Sequence, residues 1–378
     1  MRAFGRYMTI LFFVAVAVQK AHLQTYAEPP PCAIGCTTTG LSDSTCEESD
    51  LECQCTSDAF REKVAECVRS RCTVVEALAA KNESSARCNI PMRDRSGELV
   101  VVSYTMASLA VAFVLCRILC RIYISEPRLG LDDWLIFITT VSMVPGAVIN
   151  VCFLASHGLG KDIWTLQPDS VTKTLKYFHI MACLYFLETA LIKLSMIGFY
   201  LRIFPSTSRT VTRFLWGTFV FTSLWGAAFL LVGVFQCTPV EYFWTQWRDP
   251  ETGVCLDANV IAWTNAASNI ALDLWLLALP TFQLRKLRLP SWKQKVKLSV
   301  MFFFGTFVTI VSILRLQSLI RFATTTNSTW DFFEIVLWST IEITCGIICV
   351  CLPTMRQLFL AGAPKISAML TSKQKAPR

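Results

Sequence analysis

The sequence predicts an all-α membrane protein, a seven-helix transmembrane bundle preceded by a small disulfide-rich helical domain outside the membrane. Three observations predict it. Hydrophobic residues make up 53% of the 378 positions and charged residues only 16%, with a mean hydropathy of +0.48, a balance usual in multi-span chains and rare in soluble ones. Seven apolar segments of spanning length follow one another after residue 98. Eight of the 17 cysteines crowd into one polar segment between Cys32 and Cys88.

Residues 1–27 read as a signal peptide. Arg2 and Arg6 precede the apolar run 9–18, which is too short to cross a bilayer, and small residues suited to cleavage lie between Ala21 and Ala27. The mature chain then begins in oxidising surroundings, where a dense, even set of cysteines forms disulfides. A zinc site is the competing reading, but paired CxxC knuckles are missing and His22 is the only nearby histidine. Residues 28–98 are thus a stapled extracellular module, too short to build a sufficient core without bridges.

Residues 99–352 form the membrane domain, with spans at 99–120, 131–154, 178–200, 214–236, 258–280, 298–320 and 333–352, and 353–378 are a short basic cytoplasmic tail. Loop charge orients them. The loops on the side opposite the module, together with the tail, carry 16 Lys and Arg against one acid. The module-side loops carry 5 basic residues and 7 acids. This positive-inside asymmetry puts the N-terminus outside a multi-pass plasma-membrane protein. The sequons at Asn82 and Asn327 fall on the outer side as candidate glycosylation sites, and Cys237 and Cys255 are placed to bridge the second outer loop. The net charge of +8 therefore reflects topology in the lipid bilayer, not nucleic-acid binding. The cytoplasmic stretch 283–297 has six cations and no acid. That is mostly the same bias, with an acidic signalling partner or anionic lipid as the sharper alternative.

The cysteine spacing C-x3-C-x9-C-x6-C-x-C-x11-C-x4-C-x15-C resembles the fungal CFEM domain, over about residues 29–90. The resemblance implies a helical basket with the pairs Cys32–Cys72, Cys36–Cys67, Cys46–Cys53 and Cys55–Cys88. Spacing alone leaves 105 pairings open. It also implies that Asp50, three residues before the fourth cysteine, is the candidate axial iron ligand if the module binds haem. The plainer alternatives are an acidic solvated face with Glu47, Glu48 and Glu52, or a helix cap at Asp50. The remaining chain resembles the fungal rhodopsin-like seven-helix domain. The carrying stretches are GLDDW at 130–134, HGLGK at 157–161, KLSM at 193–196, FYLRIF at 199–204, QCTP at 236–239, the run from Asp273 to Pro280, Arg315, Glu342 and CLP at 351–353. There is no DRY after the third span and no NPxxY in the seventh, so coupling to a G protein does not follow.

Ionisable residues at membrane depth are costly and are usually paired or functional. The candidates are Glu188 and Lys193 in the third span, Asp273 in the fifth, Arg315 in the sixth, and Glu334 and Glu342 in the seventh. Depth pairs Lys193 with Asp273, or with Asp132 and Asp133, and pairs Arg315 with Glu334 or Glu342. Such pairs either specify packing or switch partners between states; a translocation pathway is a third reading.

A retinal Schiff base is excluded, since 332–352 contains no lysine, and HExxH, GxSxG and phosphate-loop motifs are absent. The chain is therefore expected not to be an enzyme. The resemblance implies a fungal cell-surface receptor-like protein that senses an unknown extracellular ligand through the CFEM module, with a link to host infection. Two other classes stand beside it: a haem- or iron-binding module on a membrane anchor, and an effector-like protein whose ectodomain acts on host defence at the cell wall or after release.

Overall fold

A computed structural model describes residues 29–42, 44, 46–123, 129–203, 209–286, 292–322 and 326–373. The expected signal peptide lies outside these. The N-terminal module consists of four helices, α1 (Pro31–Ser42), α2 (Leu51–Thr56), α3 (Asp58–Arg71) and α4 (Val74–Arg87). Local sequence starts the last three. Asp50, Ser57 and Thr73 are N-caps whose side-chain oxygens accept from the backbone N–H groups of Cys53, Phe60 and Glu76. Glu76 returns a bond to the N–H of Thr73, completing a capping box, and these bonds hold its carboxyl below the usual range. Disulfides Cys32–Cys72, Cys36–Cys67, Cys46–Cys53 and Cys55–Cys88 staple the helices around a core as small as Ala33, Cys36 and Val68.

The membrane domain follows. α5 spans Ser96–Tyr123, and α6 spans Leu131–Val148 and runs on through a π-helical turn, Ile149–Leu154, to His157. Next come α7 (Pro168–Ile203), α8 (Arg209–Val234), the short α9 (Tyr242–Thr245), α10 (Ala258–Lys286), α11 (Trp292–Phe322) and α12 (Ser328–Lys373). Six of these are long and apolar enough to cross a membrane, and the apolar stretch Gly305–Ile320 of α11 supplies the seventh. The cationic stretch 283–297 is divided between the ends of α10 and α11, with 287–291 outside the described residues.

α7 is the central helix. It packs against α6, α8, α10 and α12, and 56% of its apolar window is buried, the highest share among the spans. On the module side, β1 (Cys237–Thr238) and β2 (Val254–Cys255) form a short antiparallel hairpin closed by a Cys237–Cys255 disulfide.

Several expectations change. α7 begins at Pro168, ten residues before the span predicted at 178, because Val171 and Leu175 bury in the module-side core while Lys173 and Lys176 mask that face in the sequence. α12 continues past 352 to Lys373. Pro353 does not end it, since neighbouring groups in a membrane bundle can supply the backbone bonds that proline forfeits.

Asn327, expected as a glycosylation site, is buried in this fold. Its residue is 8% exposed, its Nδ2 donates to Asp162 at 2.8 Å and its Oδ1 accepts from the N–H of Ile163 at 2.9 Å. That amide holds the 158–165 loop to the start of α12. Asn82 lies half-buried on α4.

Candidate functional site

The bundle's buried charges form two tiers. At the end far from the module, Arg117 and Arg121 of α5 meet Asp132 and Asp133 of α6 and Arg202 of α7. Arg117 is fully buried and reaches Asp132 at 2.6 Å and Asp133 at 2.8 Å, and it also donates to the carbonyl of Val350 on α12. Arg202 adds contacts of 3.2 and 3.1 Å to the same two aspartates. Gly130 permits this approach, because a Cβ there would lie 2.9 Å from the Arg202 guanidinium. The sequence offered Asp132 and Asp133 as partners for Lys193; the structure gives them to three arginines instead. Arg117 and Arg121 anchor the end of the first span in this cluster.

The second tier sits at mid-membrane. Lys193 of α7 pairs with Asp273 of α10. One turn or more toward the module, Glu342 of α12 accepts from Tyr185 at 2.9 Å, from Asn269 at 2.8 Å and from Ser312 at 2.5 Å. Arg315 of α11 lies 3.9 Å from Glu342, donates to the Tyr185 hydroxyl at 2.5 Å and to Ser339 at 3.0 Å, and stacks on the Tyr185 ring. Glu334, the alternative partner for Arg315, instead pairs with Arg95 at 3.7 Å. Tyr185, Asn269 and Ser312 were not singled out from sequence, since each is an ordinary membrane residue until the fold gathers them.

Above this tier lies a cavity of ≈ 370 Å³ between α5, α6, α7, α10, α11 and α12. Met143, Phe178, Met181, Phe332, Ile335 and Ile343 give it apolar walls, and Asn150, Glu188 and Arg315 are among its polar lining residues. The π-helical turn of α6, which follows Pro145 by four residues, carries Asn150 inward; such turns recur at functional sites. Near its module-side end, the ring of His179 contacts Gln236 at 3.1 Å and leans on Phe243.

The module is joined to the bundle through residues 93–98. Arg93 pairs with Asp162 and covers the Trp330 ring. Asp94 pairs with Lys161 at 3.2 Å, and Arg95 lies over Phe333. Gly160, at φ +88°, donates its N–H to Thr329, and a Cβ there would meet Phe333 at 2.9 Å. That explains the HGLGK stretch: the loop must pass close beneath the linker.

Asp50 lies apart from all of this. Its Oδ1 accepts from the N–H of Cys53 at 3.0 Å as the cap of α2, and Glu47, Glu48, Leu51 and Glu52 stand exposed around it. An axial haem ligand needs an apolar platform, and an acidic rim would repel the porphyrin propionates. These residues do not fit a haem site.

The descriptions of known families converge on the same architecture. Residues 116–361 match the fungal rhodopsin domain, and residues 25–89 match the CFEM domain. The chain belongs to the fungal rhodopsin domain family. The fungal rhodopsin chain is 31% identical over 220 residues to a SAT4 family membrane protein of Emericella nidulans, covering 57% of this chain and 54% of the relative. It is 29% identical over 182 residues to Satratoxin biosynthesis SC1 cluster protein 4 of Stachybotrys chartarum, covering 46% and 62%. It is 26% identical over 199 residues to Fugralins biosynthesis cluster protein 2 of Gibberella zeae, covering 52% and 49%. It therefore spans less than two thirds of each of these relatives. No solved structure gives a significant match.

Proposed function

We propose that this CFEM-bearing fungal rhodopsin domain protein is a receptor-like sensor at the fungal plasma membrane, with the module outside. One observation supports this reading above others: the cavity rests on a floor of ion pairs and hydrogen bonds shared by α7, α10, α11 and α12. Interfaces of that kind are bistable, so a molecule seated in the cavity would favour one packing of the floor over another. The far-side cluster of Arg117, Asp132, Asp133 and Arg202 ties two of these helices, α7 and α12, to α5 and α6. The 93–98 linker offers a second input, from the module. A link to host infection belongs to this proposal and has the family resemblance as its support.

Non-catalytic sensing also suits the chemistry available. His179 is engaged with Gln236, and the acids of the floor are held by Arg315 and Lys193. A second reading, a membrane partner in small-product biosynthesis, has the names of two relatives in its favour.

The test is complementation. A deletion strain of the source fungus receives the wild-type gene or the Arg315→Met/Glu342→Leu double variant, and transcripts induced by surface or host contact are profiled. The expected result is restoration by wild type alone, with both proteins imaged at the membrane. A deletion strain with an unaltered contact response would overturn the sensor reading.

A further inference from the structure

We propose that the bundle cavity binds a small cationic amphiphile, an apolar body carrying a protonated amine that pairs with Glu188. This deepens the sensor reading by naming the ligand class of the same cavity, and it rests on that reading for its cellular meaning.

Glu188 is 6% exposed and lines the cavity. Among the described residues no hydrogen-bond donor reaches its Oε1. Among the described residues the buried cations are already engaged: Lys193 with Asp273, Arg315 with Glu342, and Arg117, Arg121 and Arg202 with Asp132 and Asp133. Ser142 hydrogen-bonds the Glu188 carboxyl and also reaches the carbonyl of Thr139 at 2.8 Å, so Oε1 is the carboxyl oxygen left without a partner. Arg315, the cation that lines the cavity, is thus engaged with Glu342, which leaves Glu188 without a counter-charge, and a buried carboxylate without a partner is strongly disfavoured.

Glu188 is not alone. Ser103 Oγ, Asn150 Oδ1 and Thr344 Oγ1 also lack partners, each at 1% exposure, and all three residues line the same cavity. The carboxylate and the amide oxygen accept only, so they ask for donors from whatever fills the space. Ser142 lies eight residues below Asn150 on α6, which is about 12 Å of helix rise. The preferred ligand is therefore elongated, with its amine at Glu188 and a lesser donor toward Asn150. The apolar walls and the volume of ≈ 370 Å³ fall within the range of small-molecule sites.

The test uses the purified full chain in neutral-lipid nanodiscs. The probes are phenylalkylamines of two to six methylenes, each paired with the alcohol of the same length, and the readouts are ligand-dependent Tm and calorimetric affinity. At least one amine is expected to raise Tm and to bind tenfold or more tightly than its alcohol. Glu188→Gln should abolish that preference, and Ala182→Phe, which fills the cavity wall, should remove binding of both probes while the chain stays folded. Equal shifts by amines and alcohols at every length would overturn the proposal. So would amine binding that survives Glu188→Gln, or that survives Ala182→Phe. Amine-selective binding together with a deletion strain that responds normally would sink the sensor reading and leave the site standing. A deletion strain that loses its contact response, together with no amine selectivity in the purified chain, would do the reverse.

Discussion

Glu342 on the last membrane helix accepts a hydrogen bond from the hydroxyl of Tyr185 on the central one, at 2.9 Å. The same hydroxyl receives Arg315, and the same carboxylate receives Asn269 and Ser312. One acid therefore fixes four helices relative to one another, and its charge is tolerable only because every lone pair facing the core is occupied.

Removing that acid should be costly. Glu342→Ala leaves Arg315 buried without its counter-charge, and the loss is expected to be on the order of 3 kcal/mol. Arg315→Met/Glu342→Leu removes both charges and should recover much of it. Apparent Tm of the full chain in detergent gives the order wild type, double variant, single variant. A single variant as stable as the double would show that the pair is already solvated.

The far-side cluster makes a graded prediction. Arg117 is fully buried and bridges two aspartates and the Val350 carbonyl, whereas the Arg202 side chain is 20% exposed and adds to aspartates already paired. Arg117→Met should therefore cost about 3 kcal/mol, as breaking a buried pair does, and Arg202→Met about 1 kcal/mol. Equilibrium unfolding monitored by tryptophan fluorescence separates them. Equal effects would mean that the cluster shares its charge evenly.

The class of fold and the seven spans were legible because bilayer thickness imposes length and hydropathy on each helix, and because the cysteine spacing is specific. Individual partners were legible only where depth left few choices. Lys193 and Asp273 lie at matching depth on helices that run the same way, and they meet. Lys193 and Arg315 each had alternatives: packing left Lys193 with Asp273 because arginines hold Asp132 and Asp133, and gave Arg315 Glu342 because Glu334 sits higher, on Arg95. The cavity was not legible at all. Asn150 reaches it through a π-helical turn, and Ser103, Ser142 and Thr344 carry no sequence signal that distinguishes them from other small polar residues in spans. The burial of Asn327 was not legible for a related reason: a sequon records three residues, while accessibility depends on Asp162, 165 positions away.

Asp50 offers a test of the module. As an N-cap with an exposed carboxylate, its replacement by alanine should lower module stability by about 1 kcal/mol, seen as easier reduction of Cys46–Cys53 by dithiothreitol in the full chain. Haem titration of the same two proteins should give matching Soret spectra, since the cap and the acidic surroundings offer no platform. A tight 1:1 Soret change present in wild type and lost in Asp50→Ala would restore the iron-ligand role implied by the family resemblance.

The linker should respond to acid through Asp94. Burial raises its pKa, but two hydrogen bonds from Ser96 (2.9 and 2.6 Å) and the charge of Lys161 at 3.2 Å outweigh this and hold it below the ordinary value of about 3.9. A carboxyl whose folded pKa is depressed contributes stability above its unfolded pKa and loses it as pH falls through the folded one. The joint between module and bundle should thus be tight at pH 6 and loosen below about pH 4. The neighbouring pairs Arg93–Asp162 and Arg95–Glu334 contribute beside it, so Asp94→Asn should weaken the joint at pH 6 and flatten the acid step without removing it. Spin-label mobility at position 90, which is exposed, follows the joint directly. An acid step of full size in Asp94→Asn would remove Asp94 as its source.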